Sequence, residues 1–241
     1  MIQVLPVEGL PEIRPGDDLA ALIVRAADLL DGDVVCVAHK IVSKAEGRVV
    51  RLADVEPSEQ ARALAGDEGD PRRLEVVLRE AKRIVRTRPP LVIAETEHGF
   101  VCASAGVDAS NAPAADEVVL LPEDPDASAA ALRAALQEHT GRTLGVVVTD
   151  TFGRAWRRGI ANVAIGSAGI EVLRDLRGVR DPAGYELHAT VIAIADEIAA
   201  AAELVMGKTA RVPVAVVRGL DVAGSGAASD LVLPPELDLF R

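Results

Sequence analysis

The chain has 241 residues, of which 49% are hydrophobic, 26% charged and 2% aromatic, and its formal net charge is −11. That length supplies one large core or two small ones, and the composition excludes a disordered polyelectrolyte. The acidic balance disfavours unassisted binding to nucleic acid or an anionic membrane, and one Trp and one Tyr provide no stacking platform for single strands. No apolar run reaches the roughly 18 residues of a membrane span. The segment Met1–Pro6 carries no basic region followed by an apolar stretch, so a cytoplasmic protein with no membrane partner is expected.

In chain order, Gly9–Gly16 is turn-rich. Asp17 or Asp18 can cap a helix whose apolar face uses Leu19, Leu22, Ile23, Ala26 and Leu29 or Leu30. Val34–Ala38 reads as a short apolar strand ending at His39-Lys40, and Ser43–Gly47 as a polar turn. Residues 57–88 read as helical with a break at Gly66–Pro71. In the second part Leu74, Val77, Leu78, Ala81, Ile84 and Val85 recur at three and four. Leu91–Ala94 and Phe100–Ser104 flank a polar turn and predict a hairpin. Val118–Leu121 is a strand, and Asp126 begins an Ala-rich helix reaching about His139. Leu144–Val148 is a strand of the fully buried type that runs into Thr149-Asp150-Thr151. Ile165–Ile170 is Gly-rich, and Gly166–Gly169 reads as a turn. Ala189–Val205 is a long helix, or a strand and then a helix; Val212–Val217 is a strand, and the tail after Gly219 is loop-like. Interspersed hairpin and βα signals predict a mixed α/β (α+β) fold, one domain over 1–241 without a separating linker. Cys36 and Cys102 lie in apolar runs and read as buried small hydrophobes.

Three clusters carry chemistry. In Thr149–Gly159 a strand delivers Asp150 and Thr151 at its carboxyl end, where such sheets bind ligands. A carboxylate with a hydroxyl suits Mg²⁺ or Mn²⁺, and Arg154, Arg157 and Arg158 suit phosphate or carboxylate oxygens. The plain alternative is a solvated turn with internal ion pairs. Ala105–Asn111 offers Asp108 and Asn111 as oxygen ligands, or is an ordinary Asp/Ser/Asn turn. Lys40 and Lys44 after a strand can pair with phosphates, or form a basic surface loop. Met206-Gly207-Lys208-Thr209 resembles the end of a phosphate-binding P-loop, but Ala202 stands where that motif needs Gly and a helix precedes it. Gly207 is better read as a helix stop. Glu95, Glu97 and His98 offer acid/base or metal chemistry, while the four scattered histidines lack zinc-enzyme spacing.

Five segments in order, Gly9–Ile13, Ile41–Gly47, Ala105–Asn111, Leu121–Asp126 and Thr149–Arg154, resemble the coenzyme F420-0:L-glutamate ligase family, especially the amino-terminal ligase domain of its bifunctional actinobacterial members. The resemblance implies a family-specific gamma-glutamyl ligase fold with mixed sheets and flanking helices, in an intertwined homodimer. It implies GTP-dependent addition of L-glutamate to coenzyme F420-0, then γ-linked glutamates, in coenzyme F420 biosynthesis, with divalent metal (Mg²⁺ or Mn²⁺, two sites) and K⁺. By motif, the metal residues are Asp108 and Asp150, with Thr151 at a second metal. The nucleotide contacts are Leu10, Pro11, Glu12, Ile13, His39, Lys44 and Asn111, with Lys40 adjacent. Met206–Lys208 is a further approach to the nucleotide. His39 departs from the family pattern, in which close relatives tend to carry a small hydroxyl residue. No reductase domain is expected within this chain. Apart from the resemblance, the same Asp and Thr ligands fit a metal-dependent phosphohydrolase acting on a nucleotide or other phosphate ester, and a non-enzyme reading is a small-anion-binding or oligomeric scaffold.

Overall fold

A computed structural model describes residues 1–239. Its centre is a five-stranded sheet in the order β1 (Gln3–Pro6), β12 (Val214–Arg218), β2 (Val34–Ala38), β8 (Gly145–Gly153), β9 (Ile160–Ala168). Only β2 and β8 run parallel; the other neighbours are antiparallel. The apolar runs of β2 and β8 are explained by burial on both faces. Val35, Val37, Val146 and Val148 point into one core, while Val34, Cys36 and Val147 point into the other.

Two helices cover the first face. α1 (Leu19–Ala26) is capped by Asp18, whose carboxylate accepts from the Ala21 N–H. α5 (Pro125–Thr140) is capped by Asp124 and stops at Gly141 in the left-handed region. The second face is covered by α6 (Ile194–Met206), whose Ala195, Ala199 and Ala202 form a small-residue stripe fully buried against the strands. Residues between β2 and β8 build a second, smaller lobe. It holds α3 (Glu59–Ala65), α4 (Pro71–Glu80), the sheet β4 (Ala81–Arg88), β5 (Leu91–Thr96), β6 (Val101–Ala103), and the pair β3 (Val49–Arg51) with β7 (Glu117–Val119). These elements share their own core around Leu74, Val77, Val92 and Val118.

The mixed α/β expectation holds. Both cysteines are free and buried, and burial pushes the Cys36 thiol up to about 12. Among the described residues no helix is long and apolar enough to cross a membrane. Four local readings are corrected. The helix expected to reach residue 88 ends at Glu80, and Ala81–Arg88 is a strand paired antiparallel with β5. Ser43–Gly47 is not a polar turn: His39–Ala45 forms a helix, α2, with Ser43 and Lys44 buried. Asp126 does not begin α5; its carboxylate accepts from the N–H groups of Ser167, Ala228 and Ser229. Gly166–Gly169 is not a turn, because β9 continues through Ala168.

Gly166 has a packing reason. A Cβ there would lie 2.1 Å from the Pro125 carbonyl oxygen, so only glycine lets the start of α5 rest on β9. Gly166→Ala is expected to destabilise by about 2 kcal/mol or more in urea unfolding. Gly153→Ala, with nothing within 4 Å of the added carbon, serves as a near-neutral control.

Candidate active site at the carboxyl ends of the parallel strands

The register of the parallel pair places Ala38 beside Thr149. The next residue on each strand is therefore His39 and Asp150, and their side chains meet: His39 Nε2 lies 3.3 Å from Asp150 Oδ1. By hydrogen-bond geometry this Nε2 is a buried nitrogen without a partner. The imidazole is 1% exposed, and its Nδ1 lies 3.3 Å from Ser43 Oγ one turn along α2. His39 is thus packed against Asp150 and away from solvent. Burial raises the Asp150 pKa, but His39, the Thr151 N–H and the Lys40 charge outweigh it and hold the carboxyl below its usual range.

Asp108 comes from the other lobe. It follows a tight turn in which Ser104, Ala105 and Gly106 all have positive φ, and it is bridged to Val119 by two backbone hydrogen bonds. Lys40 crosses to it: Nζ is 2.7 Å from Asp108 Oδ2, 2.6 Å from Ser110 Oγ and 2.9 Å from the Ser110 carbonyl oxygen. The Ser110 N–H donates to Asp108 Oδ1 at 2.7 Å. Burial alone would raise the Asp108 pKa; Lys40 and the Ser110 donors override it and hold the carboxyl at about 2. Lys40 thus pairs with Asp108, and its charge is also felt by Asp150, 42 positions further along the chain.

Thr151 donates its hydroxyl to Asn162 Oδ1 at 2.8 Å, and Asn162 Nδ2 donates to Thr149 Oγ1 at 3.2 Å. Asn162 escaped the sequence reading, although it stands directly opposite Thr151 in the β8–β9 ladder. Ser110 was read as turn chemistry alone; its hydroxyl and carbonyl complete the seat of Lys40. The loop Gly9–Gly16 closes the other side. Lys44, buried on α2, forms an ion pair with Glu12, and Gly16 N–H binds the Ala45 carbonyl. Ile13 is buried, Leu10 half-buried, Pro11 and Glu12 exposed. A depression of about 430 Å³ opens beside them, lined by Pro11, Glu12, Arg14, Asp17, Asp18 and Leu22 with Arg25. Asn111 is exposed at φ +56°, in the turn after Ser110. Gly207 ends α6 as expected, and the loop beyond it reaches Pro213, whose carbonyl accepts from Ala38 N–H at the strand end.

Other candidates are placed elsewhere. Glu95 is engaged by Arg83 at 2.6 Å, and His98 Nε2 lies 3.0 Å from the carbonyl oxygens of Pro122 and Glu123. Glu97 is exposed in the turn after β5. Cys102 lies near Asp150; burial, and then that carboxylate, push its thiol up to about 12, which leaves it inert as a nucleophile.

Among the described residues no group of three or more His, Cys, Asp and Glu can hold a metal ion. Carboxylates and a hydroxyl are oxygen donors of the kind that Mg²⁺ and Mn²⁺ take beside water and phosphate oxygens. Asp150 stands just past the parallel pairing of β2 with β8, where α/β sheets commonly bind ligands. A family model described as F420-0:Gamma-glutamyl ligase matches residues 9–219, and the chain belongs to this family. It is 48% identical to the coenzyme F420:L-glutamate ligase of Methanopyrus kandleri, over all of this chain and 98% of that one. Identity is 46% to the protein of that name from Haloarcula marismortui and 44% to that from Methanothermobacter thermautotrophicus, again over all of this chain and 96% and 99% of theirs.

The Asp108 carboxyl, normally near 3.8 and here about 2, contributes stability that is fully present above its unfolded value and lost as the pH falls through about 2. In Lys40→Met the carboxylate loses its cation while burial still raises its value, so the folded and unfolded values draw together or cross: stability at pH 6 is expected to fall, and the further loss in acid to shrink or reverse. Urea midpoints measured between pH 6 and about 2 check both changes.

Proposed function

We propose that this protein adds L-glutamate to coenzyme F420-0, using GTP, and continues through the γ-carboxylate of each glutamate added. The single observation that carries the reading is the full-length identity of 44–48% to relatives named coenzyme F420:L-glutamate ligases, and the Lys40–Asp108 pair between the two lobes accords with it.

A carboxylate does not form an amide directly, because oxide is a poor leaving group. Transfer of the γ-phosphoryl group of GTP to the acceptor carboxylate gives an acyl phosphate and GDP. The glutamate amine attacks that carbonyl, phosphate departs, and the nitrogen loses a proton to water or a nearby acid residue. Each anion must approach another anion. Lys40 and Lys44 lie where phosphates would sit, with Leu10–Ile13 and Asn111 around the nucleotide, and His39 steadies Asp150 from below. Asp108 and Asp150 would hold Mg²⁺ or Mn²⁺, with Thr151 at a second ion. The bound ion supplies neutralisation of charge on the transferring phosphoryl group. Asn162 keeps the Thr151 hydroxyl proton turned toward itself, which leaves the oxygen lone pairs available.

Incubation with GTP, Mg²⁺ or Mn²⁺, glutamate and coenzyme F420-0, followed by mass spectrometry, tests the reading. Successive glutamyl additions matched by GDP release are expected. GTP loss at an undiminished rate without glutamate and acceptor would select a phosphohydrolase instead. Asp150→Asn is expected to lower ligation by about 100-fold or more with the fold retained. Faster turnover in KCl than in NaCl would mark the K⁺ requirement, and light scattering would show whether the 25.2 kDa chain pairs as a homodimer.

A further inference from the structure

Lys40 is more fully engaged than a lysine awaiting a phosphate needs to be. Its side chain is 13% exposed, and Nζ donates to Asp108 Oδ2, Ser110 Oγ and the Ser110 carbonyl oxygen at 2.7, 2.6 and 2.9 Å, which commits all three of its N–H groups. Its charge also reaches Asp150. The ammonium therefore occupies one of the two carboxylates proposed above for a divalent ion, and among the described residues no group of three or more His, Cys, Asp or Glu forms a protein-only cage.

We propose that Lys40 couples the divalent ion to the nucleotide: in the free protein its ammonium occupies Asp108 in the ion's stead, and it leaves that carboxylate only when phosphate oxygens arrive to replace it. The inference rests on the nucleotide and metal reading above and assigns Lys40 a role beyond contact with phosphate. With Lys40 seated, an entering dication finds the Asp108 carboxylate already neutralised, and it is repelled by the fixed positive charge paired with that carboxylate. A triphosphate reverses both terms, because it adds negative oxygens for the ion and a new partner for the lysine. Metal and nucleotide then raise each other's affinity by the same factor. A lysine that merely ties the two lobes together makes the opposite prediction: its removal would loosen Asp108 and weaken metal binding.

The test is Mn²⁺ titration of the nucleotide-free protein, read by electron paramagnetic resonance of free Mn²⁺, beside calorimetric GDP titrations with and without Mn²⁺. Wild-type protein is expected to bind Mn²⁺ weakly alone, and to bind GDP more tightly when Mn²⁺ is present. Lys40→Met and Lys40→Gln, verified as folded by circular dichroism, are expected to tighten nucleotide-free Mn²⁺ binding by about tenfold or more and to shrink the Mn²⁺ effect on GDP. Lys40→Arg, which keeps the charge, should resemble wild type. Unchanged or weaker Mn²⁺ binding in both neutral variants, alongside normal Mn²⁺-assisted GDP binding in wild type, overturns this inference alone. Wild-type GDP binding indifferent to Mn²⁺ overturns the preceding reading and this inference with it.

Discussion

The parallel pairing of β2 with β8 is the constraint on which the site depends. Both strands are apolar on both faces, so burial of Val35, Val37, Val146 and Val148 on one side and of Val34, Cys36 and Val147 on the other enforces their adjacency. The register that pairs Ala38 with Thr149 sets His39 against Asp150 one residue later. Slipping by one residue would exchange the two cores and turn Asp150 to the other face of the sheet. At the same point the β2 chain turns into α2, which directs Lys40 across to the smaller lobe and buries Lys44 toward the Gly9–Gly16 loop.

The acidic composition and the anionic substrates proposed for this protein are reconciled by where the cations stand. Lys44 is 5% exposed and paired with Glu12, while Lys40 is seated on Asp108. Arg48 joins Glu80, Glu123 and the Leu121 carbonyl. Such pairs add little net stability, because burying each charge costs about as much as the pairing returns. They serve instead to hold long side chains in place before a ligand arrives, which removes part of the ordering entropy from binding. In the proposed function the acidic partners thus belong to the anion site and do not contradict it.

Strand and helix signals were legible where burial alone decides them. The sheet strands β2, β8 and β12, the Asp18-capped start of α1, the body of α5, the β5–β6 hairpin and the stop at Gly207 follow from apolar runs, a capping side chain and glycine placement, whereas α1 ends at Ala26, short of Leu29 and Leu30. Ala81–Arg88 misled because Ala81, Ile84 and Val85 continue the apolar spacing of α4. The segment is a strand because β5 offers it an antiparallel partner, a contact the local pattern does not contain. Ser43–Gly47 misled because its polar residues find buried partners, Glu12 from 32 positions away for Lys44 and His39 one helical turn back for Ser43. Asp108 was legible as a turn carboxylate, but Asp150 does not end its strand, because pairing with β9 carries β8 on to Gly153. The Lys40–Asp108 pair was not legible, because it spans 68 positions of chain.

The hydroxyl side of the site is arranged from the opposite face of the sheet. The β8–β9 ladder shifts register between Val148–Gly166 and Thr149–Ala164, leaving Ile165 as a bulge. Without that extra residue Val163, and not Asn162, would stand opposite Thr151, and no amide would receive its hydroxyl. The bulge costs ladder hydrogen bonds, and one freed donor, the Ala164 N–H, is taken up by Asp196 at the start of α6. Burial raises the Asp196 pKa while that N–H lowers it, with burial the larger influence. A carboxyl placed there, where charge is costly, is explained by the orphaned donor it meets. The position of Thr151 is therefore set jointly by an inserted residue on β9, an amide across the ladder and an aspartate on the helix behind it. Neither the strand's own apolar pattern nor the aspartate beside it could supply that geometry.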